Sequence, residues 1–179
     1  ADKPSTLIYV KALDKGNPAI KTEYRDEVFE IDAPFSGEGK SLVKTTNRFS
    51  GIDWGTESIA IVYDYWWDTR NRKAYVFNPS SPNSKPKTLY DRNYQDIYSD
   101  PGSFLKTRNT FNKSVLMLHK GSAFLRGAGF SEKGQFPFID KVNITTLNKS
   151  RVYQSKYTDK VEAIQDYNPA TNELIVRIE

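Results

Sequence analysis

The chain has 179 residues, 37% apolar and 13% aromatic, which suits one ordinary domain built largely from strands. Its net charge of +4 comes from 26 basic and 22 acidic residues interspersed along the sequence, so no nucleic-acid surface is expected. The absence of cysteine excludes disulfides and thiolate chemistry. No run approaches the ~18 apolar residues of a membrane helix, so we expect a soluble chain without a membrane partner, either cytoplasmic or exported.

Short apolar runs separated by polar turns dominate the chain, and no stretch keeps the period of a helix. This pattern predicts an all-β fold. The runs Ser58–Trp67 and Ser114–Lys120 are apolar on both alternating faces, which is typical of strands buried between stacked sheets. In chain order, the predicted strands are Thr6–Leu13, Glu27–Asp32, Phe49–Trp54, Ser58–Trp67, Arg72–Asn78, Lys87–Asp91, Ser114–Lys120, Phe138–Ile144, Val161–Asp166 and Glu173–Ile178.

A pattern of Lys, then Ser or Thr, then two strand residues recurs three times, each time after a strand and a turn. It is found at Lys40–Val43, Lys87–Tyr90 and Lys149–Val152. The doubly apolar strands of successive units begin 52, 56 and 59 residues apart. Propeller blades of four strands repeat every ~40 to 50 residues, with loops adding more. The sequence therefore predicts a partial β-propeller with two complete four-stranded blades flanked by incomplete blades.

The predicted blade boundaries follow from these units: a partial blade over residues 1–46, complete blades over 47–92 and 103–157, and a partial blade over 158–179. Within the third unit, the Gly- and Ala-rich segment Gly121–Gln135 is predicted to be a mobile loop. Because the end units lack strands, we expect the chain to be a fragment of a longer protein. Unpaired sheet edges recruit other strands, so edge-to-edge self-association of the fragment is also expected.

Catalytic motifs are missing from the sequence. A hydrolase nucleophile of the α/β class needs Gly-x-Ser-x-Gly, and the nearest match, Gly129–Gly134, has one residue too many. The single histidine, His119, precedes Ser131, against the order of nucleophile before histidine in that fold. With one histidine and no cysteine, only carboxylates remain as metal ligands. We therefore predict no catalytic residue, no metal site and no cofactor in this chain.

The densest aromatic and basic cluster consists of Trp66, Trp67, Arg70 and Arg72, at the tip of a predicted hairpin. These four residues are our candidates for substrate contact. Alternation places Trp66 and Trp67 on opposite faces of the strand, so one of them is expected to pack in the core. The arginines could pair with acidic side chains of a ligand.

Several segments resemble, in the same order, the prolyl oligopeptidase family of serine peptidases, in particular its glutamyl endopeptidase and acylaminoacyl-peptidase-like branch. The segments are TLIYVKALD (6–14), YRDEVF (24–29), APFSG (33–37), RFSGIDWG (48–55), YSDPG (98–102) and PFID (137–140). The resemblance implies a parent with a propeller followed by an α/β-hydrolase domain that carries a Ser-Asp-His triad. The resemblance covers only the propeller part of such a parent.

The resemblance implies that this chain is a non-catalytic propeller fragment that restricts the access of peptides to the hydrolase domain of its parent. On this interpretation its partners are peptide substrates and that hydrolase domain. The fragment itself is expected to be inactive while the parent is a serine peptidase. The sequence leaves open two alternatives. One is a free-standing β-rich binding module for carbohydrate or protein, with Trp66 and Trp67 as a carbohydrate platform, and the other is a structural protein built from propeller repeats.

Overall fold

The computed structural model describes residues 5–82 and 84–179, and over this part of the chain it is all-β and contains no helix that could cross a membrane. The all-β prediction is confirmed. The chain divides into two compact units, one containing residues up to Tyr94 and Arg108–Val115, the other Gln95–Thr107 and Leu116–Glu179. In chain order, the strands are β1 (Thr6–Ala12), β2 (Asp26–Asp32), β3 (Lys40–Thr45), β4 (Arg48–Thr56), β5 (Ile59–Trp66), β6 (Asn71–Phe77), β7 (Lys87–Asn93), β8 (Ser103–Phe104), β9 (Lys106–Arg108), β10 (Ser114–Leu116), β11 (Leu118–His119), β12 (Ser122–Gly127), β13 (Phe130–Ser131), β14 (Gly134–Gln135), β15 (Phe138–Asn143), β16 (Lys149–Gln154), β17 (Glu162–Asn168) and β18 (Glu173–Ile178).

The first unit contains two antiparallel sheets, one ordered β1-β2-β3 and the other β4-β5-β6-β7. Alternation along β2, β3, β5 and β6 sends apolar side chains into a shared core. In β5 the residues Ala60, Ile61 and Val62 are all fully buried, as the doubly apolar sequence predicted. The core cluster consists of Val28, Leu42, Val43, Ala60, Val62, Tyr75 and Phe77, with Phe49, Ile52 and Trp54 of β4 packed against it.

The last strand of each of the three larger sheets has the same irregularity where it pairs with the strand before it. One residue of β3, β7 and β16 lies opposite no residue of its neighbour, because the register shifts by one there. These bulged residues are Leu42, Leu89 and Val152. All three strands also begin at a lysine of the repeated sequence pattern. The pattern therefore corresponds to a repeated structural unit, an outer strand with a bulge close to its start.

In the second unit, β12 lies at the centre of the sheet β11-β12-β15-β16, and β8 pairs with the same edge of β12 as β11 does. Residues 130–135 form the hairpin β13–β14, and β17 pairs with β18. The core cluster of this unit consists of Phe124, Ile139, Ile164 and Tyr167, with Leu105, Val152, Tyr153, Leu174 and Val176 packed against it.

The prediction for residues 114–135 was wrong in two respects. Ser114–Lys120 is not one buried strand but divides into the short strands β10 and β11. Gly121–Gln135 is not a mobile loop, because Ser122–Gly127 is the central strand β12 and five of its six residues are buried. Its small residues face large partners: a Cβ on Gly127 would lie 2.1 Å from the ring of Phe138, its register partner. Glycine therefore makes room for the aromatic ring across this strand.

The blade boundaries at 1–46, 47–92, 103–157 and 158–179 stay predictions, and so does the partial propeller. Residues 1–4 of the first predicted blade lie outside the described residues.

Candidate functional site

The candidate site is built on the hairpin between β5 and β6. Its turn runs from Trp67 to Arg70, is closed by a hydrogen bond from the Arg70 amide to the Trp67 carbonyl (3.3 Å), and places Arg70 at a left-handed φ of 56°. The polar turn sequence from Asp68 to Asn71 suits this sharp reversal. The hairpin therefore presents Trp67 and Arg70 at its tip.

Trp67 and Arg70 form a self-contained pair. The Arg70 guanidinium lies 3.5 Å from the centre of the Trp67 ring and donates a 2.5 Å hydrogen bond to the Trp67 carbonyl. Trp67 nevertheless remains 64% exposed, so one face of the indole is covered and the other is open to solvent. The pair presents a flat apolar surface beside a fixed positive charge.

Trp66 is held on its own side of the hairpin by a different arginine. The Arg25 guanidinium lies 3.8 Å from the centre of the Trp66 ring. Arg25 also donates to Asp14 (2.7 Å) and to the carbonyl of Ile20 (3.3 Å), so its position is fixed from three sides. Trp66 is thereby anchored to the segment that connects β1 with β2.

The Arg25 side chain that stacks on Trp66 also belongs to a network of charged residues that are buried or half-buried. Asp14, which is fully buried, accepts bonds from Arg25, from the Arg48 Nη2 group on both carboxylate oxygens (2.8 and 2.7 Å) and from the Gly16 amide. Burial raises the pKa of Asp14, but its bonds to Arg48 and Arg25 outweigh that effect, so its pKa is lowered. The Arg48 Nη1 group also donates to Asp26 (2.8 Å).

This network joins the β1–β2 connection to the first residue of β4. It was missed by the sequence analysis, because its members are separated by 11 to 34 residues and follow no period.

Arg72 stands apart from this arrangement. It is an exposed residue of β6, opposite Tyr65 in the register, and its guanidinium lies 5.5 Å from the centre of the Tyr63 ring. Tyr63 donates to Asp53 (2.8 Å), and burial together with that carboxylate raises the pKa of Tyr63. The four candidates therefore share one hairpin but not one continuous platform.

A cavity of about 710 Å³ in the first unit was also missed by the sequence analysis. Its buried member is Tyr75, whose hydroxyl bonds to Thr46 (3.0 Å) and to the buried carboxylate of Asp64 (3.2 Å). Because the buried hydroxyl of Tyr75 is already bonded to Thr46 and Asp64, we assign no ligand to this cavity. Its lining residues are Tyr24, Glu27, Ser41, Lys44, Thr46, Tyr75, Pro82, Ser84, Lys85, Pro86 and Thr88.

The two residues weighed as a catalytic pair have local structural roles. Ser131 donates its hydroxyl to the carbonyl of Gly134 (3.0 Å) within its own hairpin. His119 is half-buried and pairs with Ser122 in the β11–β12 ladder. Over residues 5–82 and 84–179, no three His, Asp or Glu side chains are grouped as metal ligands would be.

Two curated proteins are similar to this chain over nearly its whole length. One, from Oryza sativa subsp. japonica, is named probable glutamyl endopeptidase, chloroplastic, and is 34% identical over 173 residues, or 91% of the chain. The other, from Arabidopsis thaliana, bears the same name and is 35% identical over 175 residues, or 92% of the chain. The chain spans 18% of the length of each relative. No family model and no solved structure matches the chain. The chain is therefore a region related to part of a peptidase.

Proposed function

We propose that the chain is a run of β-propeller blades from a serine peptidase of the prolyl oligopeptidase family, and that it restricts which peptides reach a hydrolase domain elsewhere in the same protein. The observation that carries this proposal is the match of more than nine-tenths of the chain to proteins named glutamyl endopeptidase. No residue of the chain takes part in peptide-bond cleavage.

The repeated sheets support the propeller part of the proposal. In a propeller, successive blades are antiparallel sheets whose strands follow one another outward in chain order. The sheet β4-β5-β6-β7 has that order, and β1-β2-β3 has the order of its last three strands. The bulged outer strands β3, β7 and β16 mark the same position in three successive units.

The first experiment compares the isolated chain with the protein encoded by the complete reading frame, using a fluorogenic peptide with one Glu-X bond. We expect turnover by the complete protein and none by the chain, because the nucleophile lies in a Gly-x-Ser-x-Gly motif outside these 179 residues. Turnover by the purified chain that disappears in Ser131→Ala or His119→Ala would refute the assignment.

A second experiment tests the restriction of access. The complete protein is given a Glu-X bond in a short peptide and the same bond in a surface loop of a folded protein. We expect cleavage of the peptide only, since a propeller admits narrow, unfolded chains. Equal rates on both substrates would contradict a gating role.

For the hairpin, we propose that Arg70 and Arg72 contact acidic side chains of the substrate and that Trp67 presents its open face beside Arg70. Trp66 anchors the hairpin to the β1–β2 connection through Arg25. Arg70→Ala and Arg72→Ala should lower kcat/KM for acidic peptides relative to neutral ones in the complete protein. Lys15→Ala is the matched control, because it removes one exposed positive charge from a different turn. Unchanged selectivity in both arginine variants would remove the hairpin from the site.

The alternative of a free-standing binding module stays a prediction. Its carbohydrate form requires Trp66 and Trp67 to act together, whereas each indole ring has an arginine on one face. Glycan-array binding by the isolated chain would support the module.

A further inference from the structure

The strand β1 is an edge strand with an unusual surface. Among the described residues it pairs only with β2, so its other edge has no neighbour in the sheet. Apolar side chains are exposed along it: Leu7 is 52% exposed, and Ile8 and Val10 are each 38% exposed. Soluble proteins normally cover such edges or protect them with charges, because free main-chain groups beside apolar side chains recruit other strands.

The register identifies which main-chain groups are free. The Leu13 amide donates to the Arg25 carbonyl, and the Ala33 amide donates to the Ser5 carbonyl. In an antiparallel pair these bonded positions alternate, so the odd-numbered residues of β1 bond to β2. The even-numbered residues Thr6, Ile8, Val10 and Ala12 therefore direct their N–H and C=O groups to the open edge.

The sheet β4-β5-β6-β7 contains the additional strand that the sheet β1-β2-β3 lacks. β5, the strand that corresponds to β1, is flanked on that edge by β4. β4 brings Phe49, Ile52 and Trp54 against the core cluster, and the central residues of β5 are fully buried. The correspondence of β1 with β5 follows from counting inward from the lysine-initiated outer strands β3 and β7.

We propose that β1 accepts a fourth strand, antiparallel to it, from polypeptide outside these 179 residues. The strand would hydrogen-bond to the even-numbered residues and would carry large apolar side chains at alternate positions, as β4 does. The curated relatives contain enough additional polypeptide to supply such a strand, since the chain spans only 18% of their length. The inference rests on the blade arrangement of the proposed function but not on peptidase activity.

Amide exchange tests the edge directly. In the isolated chain, the amides of Ile8 and Val10 should exchange roughly tenfold or more faster than those of Leu7 and Tyr9, measured by NMR. In the complete protein, the segment Thr6–Ala12 should become protected throughout, measured by mass spectrometry. Protection of Ile8 and Val10 in the isolated chain that grows with its concentration would show the self-association expected of an open edge, in support of the proposal. Fast exchange of this segment in the complete protein would overturn the proposal.

A matched pair of proline variants gives a second readout. Proline removes one N–H group, so Val10→Pro removes a free donor whereas Lys11→Pro removes one that bonds to β2. In the isolated chain, Lys11→Pro should lower the urea midpoint markedly and Val10→Pro should lower it little. In the complete protein both should lower it to a similar extent. Val10→Ala and Lys11→Ala control for loss of the side chains. A harmless Val10→Pro in the complete protein would overturn the fourth strand while leaving the peptidase assay unaffected.

Discussion

Replacing Asp64 with alanine should destabilise the first unit strongly. Asp64 is fully buried near the end of β5 and fastens the corner between β3 and β4. Its carboxylate accepts bonds from the backbone amide and the side-chain amide of Asn47, both at 3.0 Å, and from the hydroxyl of Tyr75 at 3.2 Å. The alanine variant would leave the buried Tyr75 hydroxyl and the half-buried donors of Asn47 without this acceptor.

The magnitude follows from the cost of unpaired buried donors. Each such group costs about 1–3 kcal/mol. The Tyr75 hydroxyl keeps Thr46 as a partner and the Asn47 side chain keeps Asn71 (2.8 Å), so the groups left unpaired are the Asn47 backbone amide and one side-chain N–H. We therefore expect a loss of about 3 kcal/mol in the free energy of unfolding. That is a large share of the ~5–15 kcal/mol that stabilises an ordinary domain.

Urea unfolding followed by tryptophan fluorescence measures this loss, because Trp54, Trp66 and Trp67 are the three tryptophans of the chain and all lie in the first unit. Asp91→Ala is the matched control. Its side chain is 51% exposed, pairs with Lys73 at 3.4 Å and accepts an exposed hydrogen bond from Asn71 at 2.6 Å, so its loss should cost about 1 kcal/mol. Equal losses in the two variants would refute the reasoning about buried donors.

Three further predictions concern pH and packing. Asp14→Asn should lower stability at neutral pH and flatten the loss of stability in acid, because the lowered pKa of Asp14 gives stability above its unfolded pKa near 3.8 that disappears as the folded carboxylate is protonated. Burial and the neighbouring Glu162 raise the pKa of Tyr153 to about 12 from 10.0, so stability should fall between these values, and less steeply in Tyr153→Phe. Gly127→Ala should destabilise the second unit, because the new methyl group would overlap the ring of Phe138.

Two of these predictions have a control variant, and the third has a result that would contradict it. For the acid limb, Asp100→Asn alters an exposed carboxylate, and its unfolding curve should keep the acid slope of the parent chain. For the alkaline limb, an unchanged slope in Tyr153→Phe would contradict the assignment. Gly16→Ala controls for glycine, since no atom lies within 4 Å of its added Cβ and only the cost of its φ of +75° remains. A smaller midpoint shift for Gly127→Ala than for Gly16→Ala would exclude the clash.

The sequence predicted those strands whose own side chains carry the signal. β5 could be identified from Ile59–Trp66 alone, because its apolar residues occupy both faces and polar turns flank it. β12 could not, because Ala and Gly have low strand propensity and its burial depends on partners such as Phe138 and Val142 that are distant in the sequence. Strand β12 was therefore missed because its burial depends on residues outside its own segment of the sequence.

The candidate site divides in the same way. The hairpin was predictable, since a strand rich in Tyr and Trp ends at a polar turn. The arginine on each indole ring was only half predictable: Arg70 is three residues from Trp67, whereas Arg25 reaches Trp66 from 41 residues away. Asp14 likewise reads as an exposed turn residue and becomes buried only because Arg25 and Arg48 converge on it.

The bulged residue of each outer strand has a consequence for aligning the units with one another. Side chains of β3 alternate between two faces, but the extra residue at Leu42 reverses the phase of that alternation relative to β2, and Leu89 does the same in β7. A comparison that matches hydrophobic alternation through the whole strand would therefore slip by one position and pair the wrong faces. The lysine that begins β3 and β7 lies two residues before the bulge in both strands, so it aligns these two units correctly. Deleting one residue after that lysine would turn a buried face outward.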